Sequence, residues 1–155
     1  MNFKMLLGTL LLVPTITSAN TCYTKSDTLI KGLYKTFPVD ESNNIREANP
    51  ALLNKFFSKK LSDLIIKDEK CAEKVQGLCN IDFDISTGAQ DSPDKNKYTI
   101  IQSTNTQVKI QLEYNHTPEL LIFKINSKSK CMLIEDIYYQ NEKISLLKLL
   151  NKKVL

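Results

Sequence analysis

The stretch that decides the fold class is Gln107-Val108-Lys109-Ile110-Gln111-Leu112-Glu113-Tyr114. Its apolar residues alternate strictly with polar ones, so Val108, Ile110 and Leu112 share one face. A period of two is typical of a β-strand with one face on the core and one face in water. The stretch therefore predicts a sheet that is covered by other elements on one side only.

Further strands are predicted on both sides of this stretch. Tyr98 to Ser103, Leu120 to Ile125 and Met132 to Tyr138 are short β-rich runs separated by turn-forming residues. After Cys79 the apolar residues Ile81, Phe83 and Ile85 also alternate with polar ones, which predicts another extended segment. Consecutive short strands of this kind indicate an antiparallel meander.

Helices are predicted before the strands. Apolar residues at helical spacing run from Leu29 to Phe37 and stop at Pro38. Asn49-Pro50 is typical of an N-cap followed by the first helical residue, and it opens a second helix over residues 50–66. A short helical piece from Glu69 to Gln76 and a short closing helix from Leu146 are also predicted.

Helices followed by strands indicate an α+β protein rather than alternating βαβ units. The predicted fold has N-terminal helices packed on a curved antiparallel sheet, with the second helix as its main cover. The residues expected to make that contact are Phe56, Phe57, Leu61 and Leu64 on the helix and Val108, Ile110 and Leu112 on the sheet.

The N-terminus has the order of a secretory signal peptide. Lys4 precedes an apolar run from Met5 to Ile16, and Thr17-Ser18-Ala19 supplies the small residues of a cleavage site. The run is too short for a membrane span, which needs roughly 20 residues. An uncleaved N-terminal anchor and a lipoprotein modified at Cys22 are the alternatives. The prediction is a signal peptide at 1–19, a single α+β domain at 20–155, and a periplasmic or secreted location.

Charge and length exclude some function classes. The signal contains one of the 21 basic residues and none of the 17 acidic ones, so the mature chain has a net charge of +3. The excess is spread along the chain, whereas nucleic-acid binding needs a clustered basic face. No other apolar stretch is long enough to span a bilayer. We therefore expect neither nucleic-acid binding nor membrane association after signal cleavage.

All four cysteines lie after the predicted cleavage site, and an even number in an exported chain indicates disulfides. Four cysteines allow three pairings. We predict the local pair Cys71–Cys79, which flanks a turn, and the long-range pair Cys22–Cys131, which ties the start of the domain to its end. The spacing is poor for a metal site, because it contains no CxxC motif and the single histidine is far away.

Four short motifs carry a family resemblance: Ile81-Asp82-Phe83-Asp84, Gly88-Ala89-Gln90-Asp91-Ser92, Met132-Leu133-Ile134-Glu135-Asp136-Ile137-Tyr138 and Ser145-Leu146-Leu147. Together they resemble a family of small exported bacterial proteins, a domain of unknown function with a cystatin-like or nuclear-transport-factor-like fold. The resemblance covers roughly residues 26–150 and implies a fold and an exported location, but no activity. Met132 stands where the family has tryptophan.

The candidate binding residues are polar side chains in these motifs: Asp82, Asp84, Gln90, Asp91, Glu135 and Asp136. Their ordinary roles would be a solvated face or a turn cap, with Gln90 and Asp91 closing a turn. The single histidine, His116, is predicted in a solvent-exposed turn. No nucleophile elbow, phosphate-binding loop, dinucleotide fingerprint or zinc-protease motif is present. We therefore predict no catalytic residue and no cofactor.

Three functional hypotheses remain. The first is a periplasmic, non-enzymatic binding protein, in particular an immunity protein that inhibits a secreted antibacterial effector. The second is a periplasmic protein that binds a small molecule at the concave face of the sheet. The third is an acid–base enzyme that uses the carboxylates of Asp82, Asp84 and Asp136, since paired carboxylates can divide acid and base roles.

Overall fold

Helices precede an antiparallel sheet in the computed structural model, which describes residues 22–39, 44–90, 97–113 and 118–152. The helices are α1 (Ser26–Thr36), α2 (Pro50–Phe56), α3 (Lys59–Val75) and α4 (Leu146–Leu150), with a short 3-10 helix, Ile45–Glu47, before α2. The strands are β1 (Tyr98–Ser103), β2 (Gln107–Leu112), β3 (Glu119–Asn126), β4 (Leu133–Tyr139) and β5 (Ile144–Ser145). The predicted α+β class is confirmed. The predicted signal peptide lies outside the described residues.

The sheet is a meander in which each strand pairs antiparallel with the next, in the order β1-β2-β3-β4-β5. The register shifts between Ile100 and Gln102 in β1, and again between Lys124 and Ile125 in β3. Such bulges bend a strand and increase its twist. Val108, Ile110 and Leu112 are fully buried, as the alternation of β2 predicts.

The predicted second helix is divided into α2 and α3. Phe57 has extended backbone and forms a parallel bridge to Ile134, while the Ser58 N–H donates to the Ile134 carbonyl across 2.8 Å. The Ser58 hydroxyl then accepts from the Leu61 N–H and caps α3. The break lets the consecutive side chains of Phe56 and Phe57 both be fully buried. The predicted helical piece at Glu69–Gln76 is the last part of α3.

The second helix was predicted to pack on β2, but its main contacts are with β4. Helix α1 lies over β1 and β2, whereas α2 and α3 contact β4. The bridge between Phe57 and Ile134 fixes this arrangement, because it joins the chain between α2 and α3 to β4. One continuous core still includes the buried side chains of α1, α2, α3 and the helix-facing side of the sheet.

The extended segment predicted after Cys79 is a turn-rich loop, residues 80–90. The Asp84 carboxylate accepts from the Ser86 and Thr87 N–H groups, and the Gly88 N–H donates to the Asp84 carbonyl. These local bonds replace a strand ladder. Ile81 and Ile85 are buried because the loop packs on the core. The alternation of apolar residues here therefore reflects the packing of a loop and not a β-strand.

Two disulfides join Cys22 to Cys131 and Cys71 to Cys79, which is the predicted pairing. Their Cα–Cα distances are 5.1 and 6.0 Å. Next to the first bridge, the Met132 N–H donates to the Tyr23 carbonyl across 2.7 Å. The segment before α1 is therefore fastened to the start of β4 by a covalent bond and a hydrogen bond.

Candidate functional site

Two buried tyrosines hold the loop of residues 80–90. The Tyr34 hydroxyl of α1 donates to the Ser86 carbonyl across 2.7 Å, and the Tyr139 hydroxyl of β4 donates to the Ile85 carbonyl across 2.9 Å. Burial raises the pKa of both hydroxyls well above the ordinary value of 10, so both remain proton donors. The loop is thus tied to a helix and to a strand.

The close packing of the loop against Tyr139 explains why the Gly88-Ala89-Gln90 motif begins with glycine. Gly88 has a φ of +76°, and a Cβ atom there would lie 2.6 Å from the Tyr139 ring. Only glycine satisfies both the left-handed backbone and the close approach. The sequence motif therefore marks a structural turn against Tyr139.

The candidate binding residues of this loop have two different environments. One oxygen of Asp84 accepts from the Ser86 hydroxyl and from the Ser86 and Thr87 N–H groups. Asp82 is exposed, and one of its oxygens accepts from the Gln90 side-chain amide across 3.0 Å. Asp84 is therefore a turn cap, whereas Asp82 and Gln90 form a polar pair at the surface.

The remaining candidates lie on β4 or outside the described residues. Glu135 is exposed. Asp136 is 6% exposed, and one of its oxygens accepts from the Ile137 N–H, the Ser145 hydroxyl and the Leu147 N–H. Asp136 thus fastens the start of α4 to β4. Asp91 and His116 lie outside the described residues.

An internal charge cluster that the sequence patterns did not indicate surrounds Arg46, the only arginine of the chain. Its side chain is 9% exposed, and its Nη1 donates to the Ile81 carbonyl across 3.1 Å. Its Nε lies 3.0 Å from a Glu69 oxygen and its Nη2 lies 3.7 Å from an Asp68 oxygen. In the sequence, only the fact that the chain has a single arginine could have drawn attention to this cluster.

A cavity of about 400 Å³ lies beside this cluster, between α3 and α4. Asp68 is 3% exposed and accepts from the Asn80 N–H across 2.8 Å. The lining residues are Leu64, Lys67, Asp68, Cys71, Asn80, Leu150, Asn151 and Lys152. The cavity thus combines aliphatic and disulfide surface with carboxylate, ammonium and amide groups.

The side of the sheet opposite α1, α2 and α3 carries a strip of apolar side chains between lysines and glutamine. We call it the outer face and define it by Lys109, Gln111, Leu120, Ile122, Lys124 and Tyr138. Ile122 is paired with Lys109 of β2 and with Tyr138 of β4, so the three lie in one row across the sheet. Leu120, Ile122 and Tyr138 are half-buried. None of the six belonged to the predicted binding set.

The fold and these surfaces define a disulfide-bonded α+β protein with helices on one side of an antiparallel meander. Comparisons with protein-family models, with curated proteins and with solved structures gave no match. The cystatin-like or nuclear-transport-factor-like fold therefore stays a prediction. In the described part of the chain, no helix has the length and apolar character that a bilayer crossing requires.

Proposed function

We propose that this protein is an exported, non-enzymatic binding protein whose partner is another protein, and that the outer face binds this partner. One observation carries the proposal: Leu120, Ile122 and Tyr138 form an apolar strip on the side of the sheet away from α1, α2 and α3. The narrower proposal is an immunity protein that inhibits a secreted antibacterial effector.

The composition of the outer face supports a protein partner. Protein interfaces combine an apolar centre, often with tyrosine, and a polar rim. Here Ile122 and Tyr138 lie at the centre, and Lys109 and Lys124 lie at the rim. Lys124 is 61% exposed, and its Nζ lies 3.8 Å from an oxygen of the buried Asp136. The partner should present an acidic rim around an apolar centre.

The two disulfides support both the location and the binding role. Disulfides are typical of oxidising compartments such as the periplasm and the extracellular space. They also join α3 to Cys79, directly before the loop of residues 80–90, and the N-terminal segment to Cys131, shortly before β4. A surface that is rigid before binding loses less conformational entropy when it binds.

The environments of the carboxylates support binding over the acid–base alternative. One oxygen of Asp84 and one oxygen of Asp136 each accept from three donors within the protein. Asp82 is paired with Gln90 at the surface. These bonds give Asp84 and Asp136 structural roles, as a turn cap and as the link between β4 and α4.

The experiment starts with the tagged mature protein, purified with its bound proteins from periplasmic extract. The identified partner is then produced separately and its affinity measured by calorimetry. Ile122→Asp should weaken binding by roughly thirtyfold or more, as expected for the centre of an interface. The control is Leu78→Asp, because Leu78 is 65% exposed on the segment after α3 and should not affect binding.

Protection of cells tests the narrower proposal. If the partner is a toxic effector, export of the wild-type protein should restore growth, and export of the Ile122→Asp variant should not. Equal affinity of the Ile122→Asp variant and the wild type would contradict the outer face as the binding surface. Binding without protection would contradict the immunity role alone.

A small-molecule site is the second candidate, and the cavity beside Asp68 favours it. Its volume of about 400 Å³ falls within the range of ligand pockets. The helix-facing side of the sheet, where the sequence predicted such a site, is filled by buried residues such as Phe123, Ile137 and Tyr139. Native mass spectrometry of the purified protein tests for such a ligand, because a retained ligand adds a defined mass to the protein. The Leu64→Trp variant, whose larger side chain would fill the cavity, should lack this added mass.

A further inference from the structure

We propose that the cavity between α3 and α4 binds one small zwitterion of the α-amino-acid type, with a protonated amine, a carboxylate and an aliphatic side chain. The proposal rests on the small-molecule candidate above and deepens it, since it assigns a ligand class to the same cavity. It does not depend on the outer face. Two lysines, one aspartate, two leucines and one cysteine of a disulfide are among the lining residues, and these groups match the three parts of such a ligand.

The size of the cavity fits a single small molecule. Its volume is about 400 Å³, toward the lower end of the range of ligand pockets. The lining residues belong to α3, to the start of the loop of residues 80–90 and to the end of α4, so the cavity is a recess between three parts of the chain. Such a recess accommodates an amino acid more readily than an extended peptide.

The walls of the cavity are fixed before a ligand binds. Cys71 of α3 is joined to Cys79, the residue directly before Asn80, and the Asn80 N–H donates to Asp68 across 2.8 Å. At the end of α4, the side-chain amide of Asn151 donates to a backbone carbonyl of the helix across 2.6 Å. Preformed walls reduce the conformational entropy that is lost on binding.

Asp68 has acceptor capacity for the amine of the ligand. It lines the cavity and is 3% exposed. One of its oxygens accepts from the Asn80 N–H, but the other has no hydrogen-bond donor among the described residues. The Arg46 Nη2 lies 3.7 Å from that second oxygen, which is longer than a hydrogen bond. Because a carboxylate accepts up to about four hydrogen bonds, Asp68 can accept further ones from a charged amine.

The charge balance around Asp68 favours a cation. Arg46 forms ion pairs with both Asp68 and Glu69, at 3.7 and 3.0 Å, so one positive charge is shared between two carboxylates. The side chain of Asp68 is 1% exposed, compared with 26% for Glu69, so water screens the charge of Asp68 less. A buried carboxylate with incomplete compensation is costly. The ammonium group of a ligand beside Asp68 would supply the second positive charge.

Lys67 and Lys152 are the groups that would bind the carboxylate of the ligand. Lys67 directly precedes Asp68 on α3 and Lys152 follows α4, and both lysines line the cavity and are exposed. Neither lysine forms an ion pair within the described ranges of the chain. Because the lysines are exposed and Asp68 is buried, positive charge lies toward the mouth of the cavity and negative charge toward its base. A ligand with both charges satisfies both ends.

Leu64 and Leu150 supply apolar surface for the side chain of the ligand. Leu64 lies four residues before Asp68, so the two share one side of α3. Leu150 is 5% exposed at the end of α4. Transfer of an aliphatic group from water to such surface is favourable, so the cavity should prefer an amino acid with an aliphatic side chain.

The test is calorimetric titration of the mature, oxidised protein with three probes of similar shape. Free leucine carries both charges, isocaproate lacks the amine and isoamylamine lacks the carboxylate. Leucine should bind at least about tenfold more tightly than either of the other probes, because each of them leaves a charged group of the cavity without its partner. Equal affinity for the three probes, or no binding of leucine, would overturn the inference.

Variants assign the two charges of the ligand to the lining residues. Asp68→Asn should abolish the preference for leucine over isocaproate, and Lys67→Gln combined with Lys152→Gln should abolish the preference over isoamylamine. The matched control is Lys70→Gln combined with Lys148→Gln, at exposed lysines of α3 and α4 outside the cavity lining. Retention of either preference in its variant would overturn the inference. The lysine variants change only exposed side chains, so they keep it testable if Asp68→Asn does not fold.

Native mass spectrometry separates this inference from the small-molecule candidate on which it rests. A retained molecule that is not a zwitterion, and that is lost from the Leu64→Trp variant, would overturn the ligand class and leave the small-molecule site in place. If the protein retains no molecule and binds none of the three probes, both proposals fail. Binding of leucine by the wild type that Leu64→Trp abolishes would support both.

Discussion

Tyr139 donates a hydrogen bond to the carbonyl of Ile85, a residue 54 positions earlier in the chain, across 2.9 Å. Both side chains are fully buried. The bond joins β4 to the loop that carries Asp82, Asp84 and Gln90. The position of these polar groups therefore depends on a tyrosine that makes no contact with solvent.

Replacing Tyr139 with phenylalanine tests this anchor. The Ile85 carbonyl would lose its partner in the core, so the free energy of unfolding should fall by about 1–3 kcal/mol in urea denaturation. The control is Tyr138→Phe, which changes the neighbouring, half-buried tyrosine on the outer face and should stay within about 0.5 kcal/mol. Equal effects of the two variants would refute the role of the Tyr139 hydroxyl.

The two disulfides should contribute unequally to stability. The Cys22–Cys131 bridge spans a sequence separation of 109 and should stabilise by roughly 4–5 kcal/mol, because it restricts the unfolded chain most. The Cys71–Cys79 bridge spans a separation of 8 and should contribute roughly 2–3 kcal/mol. Replacing Cys22 and Cys131 with serine should therefore lower the Tm more than replacing Cys71 and Cys79. A reductant is the control, since it should remove the difference between the variants.

Phe57 should be the most sensitive position at the junction of the helices and the sheet. Its side chain is fully buried and its backbone is bridged to Ile134. Phe57→Ala should cost roughly 3–5 kcal/mol in chemical denaturation, because it leaves a cavity between α2, α3 and β4. Leu78→Ala, at a residue 65% exposed, should cost no more than about 0.5 kcal/mol. A loss below about 1 kcal/mol for Phe57→Ala would show that this contact is not part of the stable core.

Glu119 should make stability depend on pH. Burial raises the pKa of this carboxyl above its ordinary value of 4.5, and the charge of Glu142 raises it further, while the hydrogen bond from Asn141 opposes the change. A raised folded-state pKa means that the folded protein binds the proton more tightly than the unfolded chain does. This contribution to stability is fully present below pH 4.5 and is lost as the pH rises through the folded-state pKa.

The replacement Glu119→Gln removes this dependence. Relative to the wild type, the variant should gain stability as the pH increases from below 4.5 to neutrality, measured by thermal melts at each pH. Glu135→Gln, at an exposed carboxyl of β4, is the control. A constant difference between Glu119→Gln and the wild type across this range would contradict the prediction.

Local sequence patterns were sufficient for most of the elements, but the extended segment predicted after Cys79 is a loop and the predicted second helix is two helices. The alternation in residues 107–112, the apolar spacing after Leu29 and the Asn49-Pro50 start of α2 each depend on neighbours along the chain, and each gave the right element. The cysteine pairing was also predicted correctly, because Cys71 and Cys79 flank a short turn and their pairing leaves Cys22 for Cys131. The break between α2 and α3 at Ser58 could not be predicted from the sequence. A serine is common both on a helix surface and at a helix N-cap, and only its tertiary contacts decide between the two.

The sequence by itself thus determined most of the element types, the order of helices before the sheet, the antiparallel meander and the two covalent links, because short-range periodicity and chain connectivity encode these features. Only the tertiary structure decided which polar groups are available for function. Asp84 and Asp136 resemble Asp82 and Glu135 in sequence, but Asp84 accepts from Ser86 and Thr87 of its own turn, and Asp136 accepts from Leu147 at the start of α4. The same holds for Arg46, whose partners lie on α3 and in the loop of residues 80–90. The outer face became visible only when strand pairing placed Lys109, Ile122 and Tyr138 in one row, since such a row joins residues that are distant in the sequence.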